Sequence, residues 1–163
     1  MNPPPVPFRY YLRVRYAECD AQKIVFNSRY ADYVDLATTE FIRAIGFGEE
    51  LAEGALDYQL VKQTIEWKAP ARFDQILELR VAATTIGTTS FVLATEFRVA
   101  GADRAIATAE TVYVCVDAAA LVKTPVMPAF RAALERGAPG VETDHAAYLP
   151  RTLYTPTTSD GSR

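Results

Sequence analysis

Two acids two positions apart, Glu18 and Asp20, and a polar pair just downstream, Asn27 and Ser28, are the residues whose types and spacing invite chemistry. A carboxylate can activate water as a general base, or attack a carbonyl itself as a nucleophile. By position alone each acid is equally a loop residue or a cap. Asn27 or Ser28 could cap a following helix. A helix start also presents unpaired N–H groups and the positive end of the dipole. A developing oxyanion is best stabilised there, and one such donor is worth on the order of 3 kcal/mol of barrier. The single histidine, His145, lies in a stretch rich in Pro, Thr and Ser and reads as an exposed tail residue. A Ser-His-Asp or Cys-His hydrolase needs its imidazole in the site. A zinc centre needs several ligands, which one histidine and two distant cysteines, Cys19 and Cys115, do not supply. No metal is expected, and hydrolytic chemistry would rest on carboxylates. Glu18 reads as solvent-facing or paired with Arg15. Glu40 and Arg43, one helical turn apart, read as a surface or interface ion pair.

These residues sit between a strand and a long helix. Residues 10–16 alternate, with Tyr10, Leu12, Val14 and Tyr16 against Tyr11, Arg13 and Arg15, as a strand with one buried face does. Behind Asn27-Ser28, the residues Tyr30, Tyr33, Val34, Ala37, Phe41, Ala44 and Ile45 recur at the helical period, and Gly46 and Gly48 end the run. Ala31, Leu36 and Ile42 fall off that stripe, which predicts a helix wrapped on several sides. Roughly 18 residues give a rod of about 27 Å. From Tyr58 the period changes to two. Strands are expected over 58–67, 75–86, 90–100 and 105–116, with a short hairpin turn at Gly101-Ala102-Asp103. Short connections make them antiparallel. A last helix is expected over 125–136. The architecture is therefore α+β: an antiparallel five-stranded sheet around one long central helix, with a C-terminal helix. Residues 1–7 are Pro-rich and read as extended. Residues 140–163 read as a polar tail that adds little to the core.

Length and balance set the class. The chain has 163 residues, 50% hydrophobic and 23% charged, with a net charge of −3, which suits one soluble domain over 1–163. That charge argues against binding nucleic acid by phosphate neutralisation. No apolar segment follows Met-Asn-Pro-Pro-Pro, and none reaches the length of a membrane span. Two cysteines make no disulfide framework. A cytoplasmic protein with free thiols and no membrane partner is expected.

Five short segments in order resemble the hotdog-fold thioesterases of the 4-hydroxybenzoyl-CoA thioesterase type. They are Arg-Tyr-Ala-Glu-Cys-Asp (15–20), Val-Phe-Asn-Ser-Arg-Tyr (25–30), Pro-Ala-Arg-Phe-Asp (70–74), Ile-Gly-Thr-Thr-Ser-Phe (86–91) and Val-Tyr-Val-Cys-Val-Asp (112–117). The resemblance covers about residues 9–136. It implies an acyl-CoA thioesterase in which Asp20 is the catalytic acid and the backbone N–H of Asn27 polarises the thioester carbonyl. No cofactor is implied; coenzyme A enters only as part of the substrate. Tyr30, Tyr33 and Phe73 are candidates for an acyl pocket. Thr89 and Ser90 are candidates for the pantetheine arm, and Lys68 and Arg72 for the nucleotide phosphates. The family loop commonly has Gly where this chain has Lys23; either the turn differs here, or Lys23 takes a left-handed conformation. A thioesterase for acyl carrier protein and a non-catalytic acyl-CoA-binding protein are the alternatives. A hotdog dehydratase is disfavoured, since such enzymes usually rely on a site histidine. Open sheet edges, together with the resemblance, imply a homodimer or homotetramer with its site at the subunit interface.

Overall fold

The computed structural model describes residues 6–150. In chain order the elements are β1 (Phe8–Arg13), α1 (Arg29–Ala44), α2 (Gly48–Glu53), β2 (Tyr58–Trp67), β3 (Ile76–Ile86), β4 (Ser90–Val99), β5 (Ala105–Asp117), β6 (Val122–Lys123), α3 (Pro128–Arg136) and β7 (Glu142–Asp144). The five long strands lie antiparallel, as expected; their spatial order is β2-β5-β4-β3-β1, so β2 pairs with β5 and not with its chain neighbour β3. Two short strands extend the expected five: β6 folds back on β5, and β7 adds to the outside of β1.

One face of the sheet holds α1. Leu77, Leu79 and Val81 of β3, Phe91, Leu93 and Phe97 of β4, and Ala107, Ala109 and Tyr113 of β5 alternate onto this face and are buried. Tyr30, Tyr33, Val34, Ala37, Phe41 and Ile42 meet them from the helix. Each large apolar side chain buried this way contributes about 1.5–3 kcal/mol. The helix is shorter than expected, 16 residues or about 24 Å. It is also less enclosed. Leu36, expected to need covering, is 45% exposed, and Asp32, Asp35 and Arg43 share its open side. After α2 the chain reverses at Gly54, whose φ of 80° is open to glycine at little cost.

The two sheet edges differ. At the β1 edge the described part of 140–163, expected to add little to the core, adds a strand to the sheet. Residues 142–144 pair with β1 in parallel, with Arg9 opposite Glu142. Tyr148 stacks on Tyr11 with ring centroids 5.1 Å apart, and the His145 N–H donates to the Tyr11 carbonyl. The His145 ring, though on an exposed residue, lies edge-on to Tyr10 with Nδ1 3.1 Å from its hydroxyl. Asp144 holds the turn beyond by accepting from the N–H groups of Ala146 and Leu149. Truncation at Gly140 would uncover β1. Residues 151–163 lie outside the described residues, as do residues 1–5 of the Pro-rich start. At the other edge β2 has no neighbour beyond it among the described residues, and Leu60, Val61 and Trp67 are exposed along it.

Candidate active site

Between β1 and α1 the chain makes a small hairpin with Asp20 at its turn. Cys19 and Val25 form an antiparallel bridge, and the Asp20 N–H donates to the Ile24 carbonyl at 2.9 Å. The Lys23 N–H closes the turn onto the Asp20 carbonyl, also at 2.9 Å. Lys23 then takes φ 60°, the left-handed position at which such turns favour glycine. So the geometry is the glycine geometry, and Lys23 adopts it at a cost of about 1 kcal/mol or more. The hairpin is anchored sideways: the Val25 N–H donates to the Ala71 carbonyl, and the Phe73 N–H to the Lys23 carbonyl. This places Arg72 opposite Ile24 and brings both Arg72 and Phe73 beside the Asp20 turn.

The two acids have separate environments. Asp20 is half-buried. Its Oδ1 accepts from the N–H groups of Gln22 at 2.8 Å and Ile24 at 3.4 Å, while Oδ2 has no partner among the described residues. Glu18 is 6% exposed and heavily engaged. It accepts from the Arg15 N–H and guanidinium, the latter at 2.5 Å, and from the Tyr33 hydroxyl at 2.7 Å. Pairing with Arg15 was expected; enclosure was not. Burial pushes the Glu18 carboxyl up, but the Arg15 and Tyr33 hydrogen bonds outweigh it, so it lies below the ordinary carboxylate range. Burial and Glu18 together push the Tyr33 phenol well above its usual value. The Cys19 thiol between the two acids is pushed up by burial, then by Glu18 and Asp20.

At the helix start, side-chain capping is absent. Ser28 occupies the cap position in helical conformation (φ −65°, ψ −22°) and makes no side-chain cap bond. Asn27 is exposed and uses its carbonyl, which accepts from the Tyr30 N–H. Its own N–H has no acceptor among the described residues. The expected cap is thereby corrected, while the free N–H that an oxyanion would need is present. Asn27, Ser28 and Ala31 form one side of an open cleft of about 340 Å³, and Gln63, Ile65 and Trp67 of β2 form the other.

The remaining candidates divide. Tyr30 and Tyr33 do not line an accessible pocket. Both are 1% exposed, with the Tyr30 hydroxyl accepting from the Ala71 N–H at 3.2 Å and the Tyr33 hydroxyl spent on Glu18. Phe73 is 44% exposed, edge-on to the open ring of Tyr16. Lys68 and Arg72 are exposed and free of salt bridges among the described residues. Thr89 and Ser90 lie elsewhere. The Asp20 hairpin follows the end of β1 that pairs with Ile76, whereas Thr89 lies beyond Ile86 at the far end of β3. At about 3.3 Å per residue, that strand separates them by roughly 30 Å. Within one chain they do not share a site. Glu40 and Arg43 pair on the helix surface, as expected. Sequence reading missed Gln63, Ile65 and Trp67 as cleft residues. Their alternation along β2 was visible; which face met the helix start was not. It also missed Asp35, whose carboxyl is pushed up by burial and by Asp32.

A long helix held against an antiparallel sheet is the architecture of the hotdog-fold thioesterases. The chain belongs to the thioesterase-like superfamily, which matches residues 14–134. It is 33% identical over 112 residues to the acyl-CoA thioester hydrolase YbgC of Escherichia coli O6:H1, a match covering 68% of this chain and 82% of that one. It is 31% identical over 121 residues to a putative esterase of Aquifex aeolicus strain VF5, covering 74% and 93%. Among solved structures it resembles a gentisyl-coenzyme A thioesterase with a TM-score of 0.68 and 28% identity, covering 78% of this chain and 98% of that one. Among the described residues no helix is long and apolar enough to cross a membrane, and no cluster of His, Cys, Asp and Glu could hold a metal ion.

Proposed function

We infer that this thioesterase hydrolyses acyl-CoA to the free acid and coenzyme A, with Asp20 as the reacting carboxylate and the Asn27 N–H as the oxyanion donor. The observation that carries the reading is the division of labour within Asp20: one oxygen is held by the hairpin's N–H groups and the other is free. The free oxygen either removes a proton from the attacking water, or attacks the thioester carbon to give an anhydride that water then opens. In both routes the carbonyl oxygen gathers negative charge, and an unpaired N–H at a helix start is suited to receive it. The thiolate of coenzyme A leaves and is protonated by solvent.

The open β2 edge supports the assembly. Ten residues with an exposed apolar flank make an exposed strand that a second copy can extend. Antiparallel pairing of two β2 strands about a two-fold axis exchanges their ends. It would carry Thr89 and Ser90 of the second copy to the end where this chain holds Asp20, alongside Arg72, Phe73 and Lys68. The pantetheine arm and nucleotide would then cross the junction, in a homodimer or a homotetramer of such dimers. The free thiols of Cys19 and Cys115 suit a cytoplasmic protein.

Thiol release from a panel of acyl-CoA esters, followed alongside light scattering, tests both parts. Turnover by a dimer or tetramer is the expected result. Absence of thiol release across the panel overturns the activity, and a monomer at micromolar concentration overturns the shared site.

A further inference from the structure

The sheet ends in two unlike edges, and the chain spends a separate segment on only one of them. β2 has no neighbour beyond it among the described residues, whereas β1 is covered by residues 140–149. Those residues lie outside the stretch 14–134 that matches the family. The cover runs along the edge of β1 and over both of its faces. Along the edge, the Arg9 N–H donates to the Val141 carbonyl and the His145 N–H to the Tyr11 carbonyl, both at 3.0 Å. Neighbouring residues of a strand point to opposite faces. On one face the Tyr148 ring lies on Tyr11 at 5.1 Å; on the other the His145 ring meets Tyr10 edge-on at 5.2 Å. Glu142 accepts from the Arg9 guanidinium at 2.5 Å and from the Tyr11 hydroxyl at 3.3 Å. Asp144 then turns the chain back by accepting from the Ala146 and Leu149 N–H groups, both at 2.8 Å. What lies beneath gives the cover its purpose. β1 reads Phe-Arg-Tyr-Tyr-Leu-Arg, and Tyr10 and Tyr11 are fully buried only with the cover in place. Bare, it would be an aromatic strand with a free row of N–H and C=O groups, the kind of edge that pairs with another chain. The cover's own outer edge is a poor template, three residues long and carrying two acids, Glu142 and Asp144.

We propose that residues 140–149 are an inhibitory strap that occupies, within its own chain, an edge to which the β1 strand of a second copy would otherwise bind, so that the protein assembles through β2 alone. Two copies joined at β2 carry a β1 edge at each end of their continuous sheet. With both ends bare, each pair takes on further pairs and growth has no end point; with both strapped, the assembly is closed. The proposal rests on the β2 pairing above only for this count of ends. The strap's own contacts lie within one chain.

The test compares the wild-type protein with two strap variants. In the full-length Asp144→Ala, His145→Pro double variant the turn loses its acceptor and the Tyr11 carbonyl loses a donor, while β1 is untouched. A chain ending at Pro139 lacks the strap altogether. Circular dichroism checks the fold, hydrogen exchange at the Arg9 amide checks that the strap has let go, and light scattering over a concentration series reads the mass. The wild type should hold one mass throughout. A folded variant with its strap released should grow with concentration to about twice that mass or more, and its Arg9 amide should regain protection as it grows. A peptide of residues 140–150 added in excess should return it to the wild-type mass, and a scrambled peptide should not. The proposal is overturned if either variant, folded and with the Arg9 amide open, keeps the wild-type mass at every concentration. It is also overturned if the peptide fails to reverse the growth. A monomeric wild type would refute the β2 pairing instead, and a released variant should then stop at a dimer.

Discussion

Glu18 and Asp20 stand two residues apart in one hairpin and illustrate two uses of a carboxylate. Glu18 is enclosed and every contact is spent, on the Arg15 backbone, its guanidinium and the Tyr33 hydroxyl. Asp20 is half-buried, with one oxygen tied to its own turn and the other open. A saturated carboxylate is held ionised and rigid, and has nothing left to offer a substrate. A half-saturated one is positioned and still reactive. The buried acid builds the hairpin, and the less buried acid keeps the open oxygen that the proposed chemistry requires.

That contrast breaks most sharply at Asp20. Asp20→Asn keeps an oxygen for the Gln22 and Ile24 N–H groups, so the hairpin should persist while turnover falls by roughly 10²–10⁴-fold; thiol-release kinetics with a circular-dichroism melt check both halves. Near-wild-type turnover in folded protein would leave the chemistry without its acid. The proposed oxyanion donor comes next. Asn27→Pro deletes an N–H that no described residue uses, and should cost about 10²–10³-fold in kcat. Asn27→Ala keeps the N–H and, with no cap bond to lose, should change stability by no more than about 0.5 kcal/mol. Equal kcat in the two variants would remove the N–H from the mechanism.

Glu18 should answer in stability. Glu18→Gln removes the charge of a buried carboxylate whose partner Arg15 is exposed, and should destabilise by about 1–2 kcal/mol, read by urea denaturation. The pH dependence carries the same sign. The folded-state pKa of Glu18 is depressed, so its contribution is complete above the ordinary glutamate range and is lost as pH falls through the lower folded value. The acid limb of the wild-type stability curve should flatten in Glu18→Gln; an unchanged limb would reassign that stability. The smallest effect sharpens the turn between the acids and the helix. Lys23→Gly should stabilise by roughly 0.5–1 kcal/mol by relieving the left-handed residue, measured as a rise in Tm. A fall would mean the lysine side chain contributes more than the backbone strain costs.

Much of this was legible in the chain. The period of two from Tyr58 onward and the helical stripe from Tyr30 to Ile45 determine the sheet and helix because each face must be buried somewhere. The pairing of Asp20 with a helix start was legible from order alone. The enclosure of Glu18 was not, because it depends on Tyr33 reaching back fifteen positions once the helix is docked. The missing cap was hidden as well: Ser28 is a favoured cap type, but its backbone is helical, and composition does not report φ and ψ. The strand at Glu142–Asp144 is three residues long, too short for alternation to announce it.

That short strand has a consequence for the order in which the chain assembles. β1 leaves the ribosome before the strands it joins, yet its outer edge is closed by residues more than 130 positions later, Arg9 against Glu142. Contacts so distant in sequence form late, because the loop they close is nearly the whole chain. Until then the first strand is satisfied only on the side of β3, and its other row of N–H and C=O groups stays exposed. In pulsed hydrogen-exchange labelling during refolding, the amides of the β1–β7 ladder should gain protection after those shared by β3, β4 and β5. β7 thus acts as a clasp, fastening β1 only when almost everything between them is in place.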